Sequence, residues 1–446
     1  MTPEIPVPDD VPPATGVTRP AAEPLGRVAL ASFIGTTIEF YDFYIYGTAA
    51  ALVLNGEFFP TLSPLNATLA SFSTYAVAFV ARPVGSVLFG HFGDRIGRKS
   101  MLVASLLLMG LSTAAVGIVP GYHSWGIWAP VVLVVLRCLQ GIGLGGEWGG
   151  AALLAVEHAP RQRRGLYGAF PQLGPSLGFF CATGIFLVLS TSIRDTAFVS
   201  WGWRIPFLLS LLLVVVGLVV RLKISETPVF AEAMARRESR PVPIVEVLRR
   251  HPRELLLGSG AMVVAYGLFY TATTYCLSYG TSKLGISRNT MLGISLIAVV
   301  FLAVGTWFSA RGSDALGRRR WVAAGSGVAV IWGLVLFPLM DTRSVVAVAI
   351  ALGICLLIMG MIYGPMGAYL PELFHTDVRY SASGLAYSLG GVVGGSVAPL
   401  LATRLQAAFG ASSVGWYVSA MAVLSLVCVL ALPETREQSL SAAESS

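Results

Sequence analysis

Residues 90–99 read Gly-His-Phe-Gly-Asp94-Arg95-Ile-Gly-Arg98-Lys, and residues 310–319 read Ala-Arg-Gly-Ser-Asp314-Ala-Leu-Gly-Arg318-Arg, an offset of 220. Two further echoes follow in the same order. Glu157 with Arg164 returns as Glu372 with Arg379, an offset of 215, and Glu226-Thr227-Pro228 returns as Glu434-Thr435, an offset of 208. Three motifs recurring in order at nearly one spacing mean that the chain is built from two related halves in parallel orientation. Parallel repeats in a membrane protein put two bundles around an axis along the membrane normal, with the binding site between them.

The sequence around these motifs is apolar. Charged residues make up 12% of the chain and apolar ones 55%, about half the charge of an ordinary soluble domain, and mean hydropathy is +0.73. Apolar runs fall near 28–54, 68–91, 101–120, 127–153, 166–190, 204–222, 255–279, 290–310, 321–340, 345–370, 383–403 and 413–432. Each is long enough to cross a bilayer as a helix, some with tilt. Helices are the element to expect, because open strands leave backbone groups unpaired in lipid. The expected fold is therefore all-α: twelve transmembrane helices in two pseudo-symmetric six-helix bundles.

Lysine and arginine placement sets the orientation. With the N-terminus in the cytoplasm, 22 of the 30 basic residues fall in cytoplasmic segments and six in outer loops, while Arg82 and Arg137 lie within spans. That asymmetry predicts both termini in the cytoplasm, for a multi-pass protein of the cell's inner (plasma) membrane. One long polar stretch interrupts the pattern, so the expected organisation is a disordered cytoplasmic tail (1–26), a bundle (27–222), a cytoplasmic linker (223–254), a second bundle (255–433) and a short tail (434–446). The net charge of +7 is spread over short loops rather than one face, which excludes a nucleic-acid partner. Cys138, Cys181, Cys276, Cys355 and Cys428 have no CxxC spacing and read as packing residues, with no metal or cofactor implied. Nothing pairs a nucleophile with a base in a soluble domain, so an enzyme is not expected.

At these residues the chain resembles the major facilitator superfamily. Residues 90–99 match its G-x-x-x-D-R-x-G-R-R loop, and Arg137-Cys-Leu-Gln140-Gly141-Ile-Gly143 is similar to its R-x-x-Q-G-x-G span. Within the superfamily, residues 35–47 (GTTIEFYDFYIYG), Arg82-Pro83-Val-Gly85 and residues 145–150 (GGEWGG) resemble the metabolite:proton symporters. The resemblance implies a secondary active transporter importing a small organic acid such as shikimate, or another mono- or dicarboxylate, together with a proton, as a monomer in the lipid bilayer. Zwitterions such as betaine or proline remain open. The Gly174-Pro175 pair resembles an antiporter motif and leaves proton-coupled export as an alternative. In the second loop copy Ala310 and Ala315 replace a glycine and a basic residue, which predicts a weaker gate there. Osmosensory members of that family carry a long C-terminal coiled coil, and with about a dozen polar residues after Pro433 an osmosensory role is not expected.

Charges inside spans are expensive and face a cavity or a partner. At about 1.5 Å per residue, Glu39, Arg82 and Arg137 all lie near mid-membrane. Glu39 and Asp42, three residues apart, are expected on one helix face. The resulting expectation is one coupling centre. Asp42 or Glu39 takes the proton, and Arg137 receives a substrate carboxylate through its planar guanidinium. Gln140, Tyr46, Arg82, Gln172, Tyr270, Tyr363 and Tyr387 complete the candidate binding set. Glu147 reads as a gate or packing residue. The resemblance further implies a cytoplasmic gate of salt bridges among Asp94, Arg95, Arg98, Glu157, Arg164 and Glu226, mirrored by Asp314, Arg318, Glu372, Arg379 and Glu434. Clustered glycines in the fourth and fifth spans predict thin helix sides that allow close packing.

Overall fold

A computed structural model describes residues 25–96, 98–146, 148–157, 159–223, 243–375 and 378–438. The side chains of Asp94, Arg95 and Arg98, and Glu147 and Glu226 altogether, lie outside the described residues, as do most of the expected linker and both tails.

Twelve helical spans run along the described residues. In the first half they are α1 (Leu25–Leu52), α2 (Pro64–Ile96), α3 (Arg98–Val116), α4 (Trp128–Gly145 and Trp148–Glu157), α5 (Arg164–Ser192) and α6 (Ile205–Lys223). In the second half they are α7 (Pro252–Ser282), α8 (Arg288–Leu316), α9 (Arg318–Met340), α10 (Val345–Glu372), α11 (Arg379–Phe409) and α12 (Ala411–Ala431). All but α1 and α3 are long and apolar enough by composition alone to cross a bilayer. Turns of π-helix interrupt α7 at Thr271–Tyr275 and α11 at Val392–Ser396.

The internal repeat reappears as a packing symmetry. In the first half α1 packs on α5, α2 on α4, and α3 on both α4 and α6; in the second half α7 packs on α11, α8 on α10, and α9 on both α10 and α12. The seams between halves obey the same rule, since α5 meets α8 where α2 meets α11, and α5 meets α10 where α4 meets α11.

The glycines expected to thin α4 do so. A methyl group on Gly141 would stand 2.2 Å from the Ala78 carbonyl oxygen, and one on Gly145 2.1 Å from the Arg82 carbonyl oxygen. From the α2 side, one on Gly85 would stand 1.9 Å from the Ile142 carbonyl oxygen. Backbone therefore touches backbone along the α2–α4 seam. Pro83 breaks the regular bonding of α2 at the same level, and Ser86 Oγ, which donates to the Gly145 carbonyl at 2.5 Å, ties the two helices there. This seam fixes the height at which Arg82 leaves α2.

Candidate functional site

The midplane charges fall into two separate sites. Arg137 on α4 is fully buried inside the first bundle. Its guanidinium lies 3.8 Å from the Tyr46 ring centroid and 5.1 Å from those of Phe43 and Tyr75. It donates to Gln140 Oε1 and, at 3.5 Å, to the Tyr75 carbonyl. Gln140 passes the chain on, donating to the Asp42 carbonyl at 2.9 Å and to Thr113 Oγ1 at 2.8 Å. The Tyr46 and Thr74 hydroxyls share a bond of 2.5 Å. Arg137, Gln140 and Tyr46 thus tie α1, α2, α3 and α4 together inside one bundle. The expectation that they line the central site is corrected here.

Asp42 is equally buried, but it leaves α1 on another side. Its Oδ2 lies 3.6 Å from where a methyl group on Gly110 of α3 would sit, close to Val214 of α6. Glu39 acts electrostatically on Arg82 and on Tyr387 of the other half. A three-residue spacing leaves two side chains about 60° apart around a helix. At the edge of a bundle that angle separates the inter-bundle space from an internal seam. The two acids therefore face different neighbours, Asp42 toward α3 and α6 and Glu39 toward Arg82 and Tyr387.

Arg82 is the cation at the centre. From α2 it crosses to the second half, with Nη1 3.5 Å from the Tyr266 hydroxyl and its guanidinium 5.0 Å from the Tyr387 ring centroid. Its Nε and Nη2 have no hydrogen-bond acceptor among the described residues. Beyond Tyr266 and Tyr387 lies a small void, with room for about one water. Phe40 and Tyr44 of α1 form one wall; Tyr266, Phe269 and Tyr270 of α7 form another; Tyr363 of α10 and Tyr387 of α11 close it. Tyr270, Tyr363 and Tyr387 were expected at this site. Phe40, Tyr44, Phe269 and the two methionines of the lining, Met262 and Met359, are located only by the fold. The four-residue steps Phe40–Tyr44, Met262–Tyr266–Tyr270 and Met359–Tyr363 are the sequence signal that marks them as single helix faces.

The side of the void toward the chain termini is closed by a ring of side chains drawn from both halves. Trp148 of α4 stacks on Tyr387, with centroids 3.8 Å apart and planes within 4°. Its indole N–H donates to Gln172 Oε1 of α5 at 2.9 Å. Gln172 Nε2 donates to the Tyr363 carbonyl at 2.9 Å, and the Tyr363 and Tyr387 hydroxyls are 2.8 Å apart. Gln172 is therefore a strut between bundles in this arrangement rather than part of the void's lining.

Nearer the termini a polar layer joins the halves. Asp314 caps α5, accepting from Gly165 N at 2.8 Å and Leu166 N at 2.9 Å, and pairs with Arg318 at 2.7 Å. Arg318 also meets Glu372 at 3.4 Å, with both side chains wholly buried. Glu372 accepts from Thr435 at 2.6 Å, and Glu434 caps α9 through the Arg318 amide at 2.8 Å. Arg379 lies 3.9 Å from Glu157, and Arg164 donates to the Gln438 carbonyl at 2.9 Å. The second loop copy, expected to be the weaker gate, supplies the closest of these cross-bundle contacts. Gly165 on α5 explains how: a methyl group there would stand 2.6 Å from the Ala310 carbonyl oxygen, so α5 and α8 touch backbone to backbone.

The opposite end is closed as well. Arg288 pairs with Asp195 and donates to Ser190 at 2.7 Å, joining α8 to α5. Tyr44 and Phe269 pack at 4.9 Å between α1 and α7. The void is shut at both ends.

Comparison with known proteins agrees with this architecture. The family model for the Major Facilitator Superfamily matches residues 32–399. The chain is 47% identical to the inner membrane metabolite transport protein YhjE of Escherichia coli, over 93% of this chain and 95% of that one. It is 36% identical to the shikimate transporter of the same organism, over 92% and 95%. Among solved structures it is similar to the xylose transporter XylE from E. coli in a partially occluded inward-open conformation, with a TM-score of 0.75, 18% identity, and coverage of 93% of this chain and 99% of that one.

Proposed function

The chain belongs to the major facilitator superfamily, as a multi-pass membrane transporter akin to the metabolite transport proteins, and we propose that it imports a compact monocarboxylate together with a proton. One observation carries the reading: Arg82 projects across the bundle interface into a wall of tyrosines, with Glu39 acting on it electrostatically.

The coupling follows from charge. Ionised Glu39 offsets the guanidinium of Arg82. A proton on Glu39 removes that offset and leaves the cation for a substrate carboxylate, which its planar fork holds with two charge-assisted bonds. Arg82 reaches two of the tyrosines that line the void, Tyr266 and Tyr387, so one carboxylate there is neutralised and a second would be buried unpaired at high cost. Tyrosine rings offer flat faces and hydroxyls to the rest of the molecule, which suits a hydroxylated ring such as shikimate. Substrate enters when the bundles part at one end. The Trp148–Gln172–Tyr363–Tyr387 ring and the Asp314 and Arg379 contacts hold the terminal end shut until both ligands are bound. Asp42 and Arg137 brace α1 within its bundle. The terminal end faces the cytoplasm, and the transporter works as a monomer.

Purified protein in liposomes tests this. An imposed pH gradient should drive accumulation of labelled shikimate or another monocarboxylate in preference to dicarboxylates. Arg82→Gln should abolish uptake, and Glu39→Gln should leave exchange without gradient-driven accumulation. Wild-type uptake in Arg82→Gln sinks the reading, and flux against the stated direction in inverted vesicles turns it into export. Tyrosine faces also bind quaternary ammonium groups. A zwitterion such as betaine is therefore the second reading, chosen if betaine competes with the monocarboxylate for uptake.

A further inference from the structure

Away from the central site, where α7 and α9 begin and α12 ends, lies a groove of about 360 Å³. Arg253 and Arg319 stand on its rim, Glu254 lies beside them, and Leu257, Leu430 and Pro433 line its floor. Both arginines hold only part of their donors in place: Arg319 Nη2 donates to the Leu430 carbonyl, Arg253 Nη2 reaches the Ala431 carbonyl at 3.5 Å, and Arg319 Nε has no acceptor among the described residues. The short helix Pro243–Arg250 lies beside this corner. It buries Val247 and exposes Leu248, Arg249 and Arg250. Leu256, one position from the groove floor, is 67% exposed.

We propose that this groove binds the headgroup of an anionic phospholipid, with the acyl chains running down the exposed apolar flank of α12. Its level in the molecule is the first reason. Arg253 and Arg319 are each the second residue of a membrane-spanning helix, and Leu430 is in the last turn of another, so the groove opens where headgroups lie. Charge is the second. Arg253 and Arg319 line the groove, Arg249, Arg250 and Arg320 lie next to them in sequence, and Glu246 is occupied by Arg250 at 3.0 Å. Basic pockets between spans with an apolar continuation favour anionic headgroups. The third is the mixed lining: two guanidinium groups suit a phosphodiester, while a leucine and proline floor offers nothing to a free inorganic anion. The basic, partly apolar helix beside it has the character of an interfacial helix. The proposal stands independently of the transported substrate.

The test uses the full chain, delipidated in mild detergent and mixed with equal amounts of phosphatidylglycerol and phosphatidylcholine of the same acyl chains. Retained lipid is counted by native mass spectrometry. Each arginine near an anionic surface is worth about fivefold in binding. Phosphatidylglycerol should therefore be retained well above phosphatidylcholine, and Arg253→Gln with Arg319→Gln should erase that preference. Leu257→Trp fills the floor and leaves both arginines, so it should also reduce retention; it serves if the double variant does not fold. Equal retention of the two lipids by the wild type overturns the proposal, as does an unchanged preference in the double variant or unchanged phosphatidylglycerol retention in Leu257→Trp. Displacement of the lipid by millimolar inorganic phosphate would overturn it in favour of a soluble anion.

Discussion

Trp148→Phe tests how the terminal end is held shut. Phenylalanine keeps a ring to stack on Tyr387 but removes the indole N–H that Gln172 Oε1 accepts at 2.9 Å. In the closed arrangement the Gln172 carbonyl group is then buried without its donor, because Trp148 is 2% exposed and Gln172 fully buried. A buried polar group stripped of its partner costs about 1–3 kcal/mol. Opening that end admits water and removes the cost, so the penalty falls on the closed state alone. Taking about 1–2 kcal/mol as the net difference, the open population rises roughly five- to thirtyfold. The reporter is Ser383→Cys, one turn from Tyr387 on the terminal side of α11 and buried here, in a background whose five native cysteines are replaced. A membrane-impermeant maleimide applied from the terminal side should alkylate Ser383→Cys about five to thirty times faster when Trp148→Phe is added. An unchanged rate, with both proteins folded, refutes the idea that this ring holds the end closed.

Arg82→Lys should retain weak transport, because a point charge replaces a planar fork, while Arg82→Gln should lower substrate affinity by about ten- to a hundredfold, the worth of a charged hydrogen bond; isothermal titration reads both. Arg137→Met should cost about 2 kcal/mol or more of thermal stability through the lost cation–π contact and the orphaned Gln140, and suppressor changes that restore stability should restore transport without altering substrate preference. Asp314→Ala should weaken the cap on α5 by about 0.5–2 kcal/mol and speed alkylation of Ser383→Cys in the same assay. Gly145→Ala should abolish expression of folded protein, because its methyl group would stand 2.1 Å from the Arg82 carbonyl oxygen; normal folding on size-exclusion chromatography would show that the α2–α4 seam can yield.

The corrections at the centre have a common cause. Depth along a helix is a matter of counting residues, and the expected midplane level of Glu39, Arg82 and Arg137 rests on that count alone. Direction around a helix is a different coordinate. Asp42 and Glu39 differ by about 60° around α1, and whether that difference matters depends on where the seams between neighbouring helices fall. The same applies to Tyr46 and Tyr44, two residues apart and thus on opposite sides of α1: one stacks on Arg137 inside the bundle and the other lines the void.

From the sequence alone came the membrane class, the number of spans, the two-fold repeat, the glycine seam and the family. These depend on hydropathy summed over about twenty residues, on repeated motifs, and on the size of a side chain, all of which are local properties. The tertiary structure alone decided that Arg82 rather than Arg137 faces the second half, that Trp148 and Gln172 join the bundles, and that Asp314 caps a helix of the other half. Each of these needs residues separated by a hundred positions or more to meet, and the rotation of a helix about its own axis is fixed only by the neighbours against which it packs.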